Sequence, residues 1–290
     1  MSLIVFSHAN SFPLSTYSVM FKSLRARGYT VRGLEKIGHD PGYPVTNNWP
    51  HLIQQLADYI NAEAAGHEGE LWLVGHSLGG FLSCMCAAVH PVLAGKPIAG
   101  VVMLDSPLIS GWKANVLGLA KHTQLAGSLS PGRVSRKRRN SWPSRDDVLS
   151  HFQHKRAFAR WDPQVLQDYV DHGTHDHVLP DGSTQRVLSF DRDVETLIYN
   201  TLPHNVDSLL RRHPLQCPLA FIGGQESTEL RHVGLRMTRK VIGTDAPPRL
   251  TITPGSHLFP MEKPLETAAL VDAAIKSMNK DLSHEPVQRS

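Results

Sequence analysis

The chain has 290 residues, 41% of them hydrophobic and 19% charged, with a formal net charge of +4. That balance fits one sizeable core carrying an insertion, or two modest domains, and it excludes a disordered or low-complexity chain. No run of about eighteen apolar residues is present to span a membrane, no signal peptide opens the chain, and cysteines 84, 86 and 217 suit a reducing compartment, so a soluble cytoplasmic protein is expected.

Leu3-Ile4-Val5-Phe6 reads as a buried strand that runs into a polar loop, Ser7-His8-Ala9-Asn10, closed by Pro13. Thr16 to Arg27 places Tyr17, Met20, Phe21 and Leu24 on one helix face, and Gly28 stops it. Tyr29 to Leu34 is the next strand, followed by the loop Glu35 to Gly42. Pro50 then opens a helix with Leu52, Ile53, Leu56 and Ile60 in a 3-4 spaced stripe.

Leu71-Trp72-Leu73-Val74 is a short apolar strand, and Phe81 to Ala88 has helix length. Between them stands Gly75-His76-Ser77-Leu78-Gly79-Gly80. A strand turning directly into a helix leaves no room for side chains, so the glycines let the backbones approach while Ser77 sits strained at the apex. Gly95-Lys96-Pro97 breaks the chain before a second buried strand, Ile98 to Leu104, which ends in Asp105-Ser106-Pro107. Strands alternating with helices imply a parallel, doubly wound sheet whose ligand site lies off the carboxyl ends of the strands.

From about 108 to 213 the alternation lapses. Helices are expected over Asn115–Ala126, Asp146–Phe158, Pro163–His172 and Asp193–Leu202, with a hairpin at Pro180-Asp181-Gly182-Ser183. Arg133 to Arg139 is the one dense charge run; it reads as a solvated basic face or hinge, or as a rim that attracts an anionic substrate, and it lacks the aromatic neighbours of a nucleic-acid patch. His172-Gly173-Thr174-His175-Asp176-His177 falls one imidazole short of a dinuclear zinc pattern, so no metal is expected.

Pro218 to Ile222 resumes the sheet and Gly223-Gly224-Gln225-Glu226 follows it; Arg249 to Thr253 is the last strand. Pro254-Gly255-Ser256-His257-Leu258-Phe259-Pro260 precedes a proline-started helix with Leu265, Ala268, Val271 and Ile275 on its apolar face.

The elbow at Ser77, the His8 loop and the His257 loop resemble those of the α/β-hydrolase superfamily. The resemblance implies an α/β-hydrolase fold trimmed at the N-terminus to about six strands. It implies core halves at 1–107 and 214–290 around an inserted, mainly helical cap at 108–213. It implies catalytic Ser77 and His257, with an acid at Glu226 by register; Glu229 competes, and Asp105 is an alternative location. The oxyanion donors would be the backbone N–H groups of Asn10 and Leu78, with the Asn10 side-chain amide as an extra. The implied activity is that of a serine hydrolase on a small or medium acyl substrate, a carboxylic ester first, without cofactor and without nucleic-acid or membrane partners. Carbon-carbon bond hydrolysis, perhydrolysis and a non-catalytic ligand-binding role remain alternatives; oligomeric state is left open.

Overall fold

In the computed structural model of the chain, which describes residues 1–109, 135–245 and 247–284, six parallel strands lie side by side. They are β1 (Leu3–Ser7), β2 (Thr30–Arg32), β3 (Leu71–His76), β5 (Lys96–Leu104), β9 (Leu219–Gly224) and β10 (Leu250–Thr253), in the order β10-β9-β5-β3-β1-β2. A two-residue strand, β4 (Val92–Leu93), pairs antiparallel with the start of β5. The break expected at Gly95 is therefore the turn of a small hairpin, with Ala94 and Gly95 at φ of 50° and 73°, and β5 begins two residues earlier than the sequence suggested.

Parallel strands are covered on both faces, which is why their sequences are almost wholly apolar. Alternation sends Leu3, Val5, Leu73, Val101, Met103 and Phe221 to one side and Ile4, Phe6, Trp72, Val74, Val102 and Ile222 to the other. The first side is covered by α2 (Pro50–Glu63) and α3 (Leu78–Val89), through Leu52, Leu56, Leu82 and Met85. The second is covered by α1 (Ser18–Ala26) and α11 (Pro264–His284), through Met20, Leu24, Ala268, Val271 and Ile275.

Between β5 and β9 the chain leaves the sheet. The described part of this insertion holds β6 (Ser141–Trp142), α4 (Arg145–Gln153), α5 (Pro163–Gly173), β7 (Thr174–Val178), β8 (Thr184–Leu188), α6 (Arg192–Asn200) and α7 (Val206–Arg212). Three of these helices begin where an oxygen side chain caps them: Ser144 accepts the Asp147 N–H, Asp162 those of Gln164 and Val165, and Asp191 those of Asp193 and Val194. The expected hairpin is present as β7-β8, and β6 extends it to a three-stranded sheet. The helix expected over Asn115–Ala126 lies outside the described residues.

The insertion docks on the core through aromatic rings. Phe12, in the loop after β1, lies 5.5 Å from both Trp161 and Tyr169, and Phe152 and Phe158 close the cluster. Further along, β9 (Leu219–Gly224) leads into α8 (Thr228–Val233) and α9 (Arg236–Ile242), and α10 (Phe259–Glu262) is a single turn before α11.

The backbones of β1, β3 and α3 approach closely around the serine turn. A Cβ on Gly75 would stand 2.1 Å from the Gly79 carbonyl oxygen, and one on Gly79 would stand 1.9 Å from that of Ser7. Both obstacles are backbone and cannot rotate away. Gly75→Ala and Gly79→Ala are each expected to destabilise the protein by about 1–3 kcal/mol, the usual range for overpacking, read as a lower urea midpoint with an unchanged slope.

Candidate active site

Ser77 occupies the single residue between β3 and α3, with φ 54° and ψ −115°. A side chain rarely adopts that conformation unless its surroundings impose it. The Ser77 N–H donates to the Leu104 carbonyl at 2.9 Å and the Ser77 carbonyl accepts the Ser106 hydroxyl at 2.8 Å, so the end of β5 holds the turn in place. The hydroxyl that the turn lifts off the sheet lies 3.0 Å from His257 Nε2.

His257 Nδ1 donates to Asp105 Oδ2 at 2.6 Å. Ser77, His257 and Asp105 thus form one hydrogen-bonded line. Asp105 directly follows β5, is 1% exposed and has φ 47°. Its carboxylate also accepts the Gly224 N–H at 2.8 Å and the Ser227 hydroxyl at 2.5 Å. Burial, the largest single influence, pulls the His257 pKa down, yet the Asp105 hydrogen bond and the charges of Glu229 and Asp105 together outweigh it and leave the imidazole above its ordinary value.

The register that places Glu226 opposite His257 is not met. Glu226 is exposed on the wall of the cleft that Ser77 and His257 line, its two oxygens taken by Arg160 at 2.6 and 3.1 Å, and that hydrogen bond holds its carboxyl below the usual range. Asp105, the alternative acid, stands in the line instead. Glu229 comes within 3.7 Å of His257 Nδ1.

Two side chains that sequence reasoning passed over bind the site's loops together. The Ala9 N–H donates to the Tyr17 hydroxyl oxygen at 3.1 Å, the Tyr17 hydroxyl donates to His76 Nδ1 at 2.9 Å, and His76 Nε2 donates to the His257 carbonyl at 2.8 Å. Because a carbonyl only accepts, the His76 tautomer and the direction of the chain are fixed. Burial drives the His76 pKa well down, so the ring is neutral. The only sequence sign of this was a histidine inside the elbow motif. His8 works in the same way on its own loop: Nδ1 donates to the Ala9 carbonyl and Nε2 accepts the Ile37 N–H, each at 2.8 Å, and burial pulls its pKa to about 4.

Ser77 and His257 open into a cleft of about 1290 Å³, whose walls include Ala9, Asn10, Phe158 and Tyr199. Asn10 is there, and one N–H of its side-chain amide donates to the Glu195 carbonyl on α6 at 3.1 Å. Leu78 heads α3, where the first N–H groups have no acceptor within the helix.

The basic run does not form one solvated face. Within its described part Arg138 turns inward to the cleft wall, pairing with buried Glu195 at 3.2 Å and donating to the Tyr169 hydroxyl at 3.2 Å. Arg139 instead lies over the Trp142 ring, 5.5 Å from its centre. Of the histidine cluster, His175 and His177 alternate with Asp176 along β7, and Asp176 is held by Arg186 at 3.0 Å, so these groups do not converge on one point. Donor atoms of Asp105, Glu229 and His257 lie within 4.8 Å of one another, but His257 and Asp105 already engage each other through the atoms a cation would need.

With this geometry in view, comparison with known proteins is informative. The model of the alpha/beta hydrolase family matches residues 4–270. The chain belongs to this family. It is 26% identical over 228 residues to the abhydrolase domain-containing protein AFT2-1 of Alternaria alternata, covering 68% of this chain and 80% of that protein. Among solved structures it resembles E-2-(acetamidomethylene)succinate hydrolase, with a TM-score of 0.65 at 20% identity over 95% of this chain and 92% of the other. It also resembles the thioesterase domain from the curacin biosynthetic pathway, with a TM-score of 0.64 at 18% identity over 93% and 90%. In this member of the family the parallel sheet is the one that the sequence resemblance implied, and Ser77 and His257 lie 3.0 Å apart.

Removing the buried charge and removing the exposed one should differ sharply. Asp105→Asn is expected to lower kcat/KM at least about a hundredfold, because the ring loses the acceptor that fixes its tautomer. Glu226→Gln should stay within about threefold of the parent, because it disturbs a surface ion pair. Steady-state kinetics on an activated ester compares the two.

Proposed function

We propose that the protein is a serine hydrolase that cleaves a small or medium acyl substrate, a carboxylic ester first, through an acyl-enzyme on Ser77. The observation that carries this reading is the continuous line from Ser77 Oγ to His257 Nε2 at 3.0 Å and from His257 Nδ1 to Asp105 at 2.6 Å. With Nδ1 committed to Asp105, the lone pair of Nε2 faces the hydroxyl it has to deprotonate.

In the first step Ser77 Oγ attacks the acyl carbon and its proton passes to His257 Nε2, making an imidazolium that faces the Asp105 carboxylate. The oxyanion lies between the N–H groups of Leu78 and Asn10, a pair of backbone donors each typically worth about 3 kcal/mol. His257 returns the proton to the leaving alcohol. A water then takes the place of the alcohol, gives a proton to His257 and attacks the acyl carbon; as the bond to Ser77 Oγ breaks, His257 returns that proton to Oγ and the acid leaves.

The insertion acts as a cap. Phe158 of its aromatic cluster and Arg138 wall one side of the cleft, and a walled site strengthens every charge interaction within it. No helix among the described residues is long and apolar enough to cross a membrane. The substrate in this reading is a small molecule that enters the cleft. The alternative of a non-catalytic ligand-binding member receives no support from a serine and histidine already within hydrogen-bond reach.

A fluorophosphonate probe is expected to label Ser77, and Ser77→Ala or His257→Ala should abolish turnover of p-nitrophenyl acetate while thermal unfolding stays cooperative. An inert parent enzyme that no probe labels overturns the reading. A panel of esters of increasing acyl length, with one ring-fission dienoate, separates ester from carbon-carbon cleavage.

The pH profile follows from the same geometry. Catalysis needs neutral His257, and the net influence of Asp105 and Glu229 raises its pKa above the ordinary 6.5. Activity should therefore be full at alkaline pH and fall as pH drops through a value above 6.5, seen in kcat/KM measured across the acid limb.

A further inference from the structure

A second carboxylate stands beside the line; its charge helps to raise the His257 pKa, but no step of the reaction above gives it a role. Glu229 Oε2 lies 3.7 Å from His257 Nδ1, the same nitrogen that Asp105 serves at 2.6 Å. Thr228 holds it there, its hydroxyl donating to Glu229 Oε2 at 2.8 Å. The side chain is 46% exposed and lines the cleft, and among the described residues His257 is the basic side chain found within 4.0 Å of it.

Asp105 is heavily loaded by comparison. Its Oδ1 accepts the Gly224 N–H, and its Oδ2 is divided between the Ser227 hydroxyl and His257. The Ser227 hydroxyl has one proton and two carboxylates in reach, Asp105 at 2.5 Å and Glu229 at 3.3 Å, while its oxygen accepts the Leu230 N–H. Turning that proton from Asp105 to Glu229 frees Oδ2 for the imidazole.

We infer that Glu229 is a second positioning carboxylate for His257, which shares with Asp105 the charge opposite the imidazolium and exchanges the Ser227 proton with it. No bond to substrate is involved; Glu229 acts through His257 alone. Its own carboxyl, though raised by burial, ends below the usual range because His257, its own backbone and the Thr228 and Ser227 hydroxyls favour the ionised form, so the charge is present at neutral pH. The other groups packed against the His257 loop do not supply that charge. His76, 5.1 Å away ring to ring, is neutral, and Glu262 is engaged by the Ser256 hydroxyl and by Arg160. The kinetic part of the inference rests on the hydrolase reading, and the titration part does not.

The test is the titration of the His257 ring, followed by NMR of histidine-labelled protein and assigned by the resonance missing from His257→Gln. Glu229→Gln should lower the His257 pKa by about half a unit, equivalent to about a threefold change in proton affinity, and Glu229→Lys should move it further the same way. Glu226→Gln should leave it unchanged, and Glu229→Asp should recover part of the shift. In kcat/KM the acid limb should move to lower pH by the same amount in Glu229→Gln while the plateau falls about threefold, two opposite effects that loss of folded protein cannot produce together. The residual activity of Asp105→Asn should drop about tenfold more in Asp105→Asn/Glu229→Gln, a coupling expected of groups that share one partner. A His257 pKa unmoved by both Glu229→Gln and Glu229→Lys overturns the inference. Should the parent enzyme turn over no ester, the hydrolase reading fails by itself and the titration still decides the role of Glu229.

Discussion

A carboxylate that is 1% exposed sits at the end of a parallel strand, and much of the site's construction follows from keeping it charged there. A buried charge without donors is too costly for a fold to hold, so each lone pair of Asp105 has to be met. The donors come from three places: the last residue of β9, the serine that caps α8, and the ring of the loop after β10. The loops that carry Gly224, Ser227 and His257 are thereby drawn to one point beside β5. Once His257 has spent its Nδ1 proton on Asp105, its other nitrogen can only accept, and it faces Ser77. Satisfying a buried charge and selecting the working tautomer are one and the same event.

A second set of bonds complements the first by being neutral. Ala9, Tyr17, His76 and the His257 backbone form a chain that joins the loop after β1, the segment before α1, the end of β3 and the histidine loop. Burial raises the Tyr17 pKa and lowers that of His76, so neither group ionises and the direction of every bond in the chain is kept. This neutrality has an electrostatic consequence. A protonated ring 5.1 Å from His257 would oppose the imidazolium, whereas a neutral one leaves that charge to the carboxylates.

What could be read from the sequence is what steric demand and periodicity dictate. The strands were legible because both faces of a parallel sheet are buried, and Ser77 because Gly75 and Gly79 have no room for a Cβ. His257 was legible through its place after the last strand. The acid was not, since three carboxylates follow strand ends and register says nothing about which one turns inward. In the structure Asp105 meets His257, while Glu226 is paired with Arg160, an insertion residue remote in sequence. Arg138 was hidden for a similar reason: a basic run reads as solvated until Glu195 is known to lie buried against one of its members. Tyr17 was read as an apolar position on a helix face, correct for its ring and silent about its hydroxyl.

The insertion meets the loop after β1 through an amide hydrogen bond and an aromatic contact, with an ion pair inside the insertion behind them. Asn10 gives its amide to the Glu195 carbonyl of α6, while the Glu195 carboxylate, 0% exposed, pairs with Arg138, and Phe12 packs against Trp161 and Tyr169. A buried ion pair adds little to stability over an apolar pair of the same shape, yet losing one partner typically costs about 3–5 kcal/mol. Both members belong to the insertion, so the pair holds α6 to the segment at Arg138 and steadies the carbonyl that Asn10 meets. Residues 10–12, with Ser11 at φ 79°, lie beyond the end of β1 and have no sheet partner to hold them. The insertion packs against them through Glu195, Trp161 and Tyr169 and so helps to build the Asn10 side of the cleft.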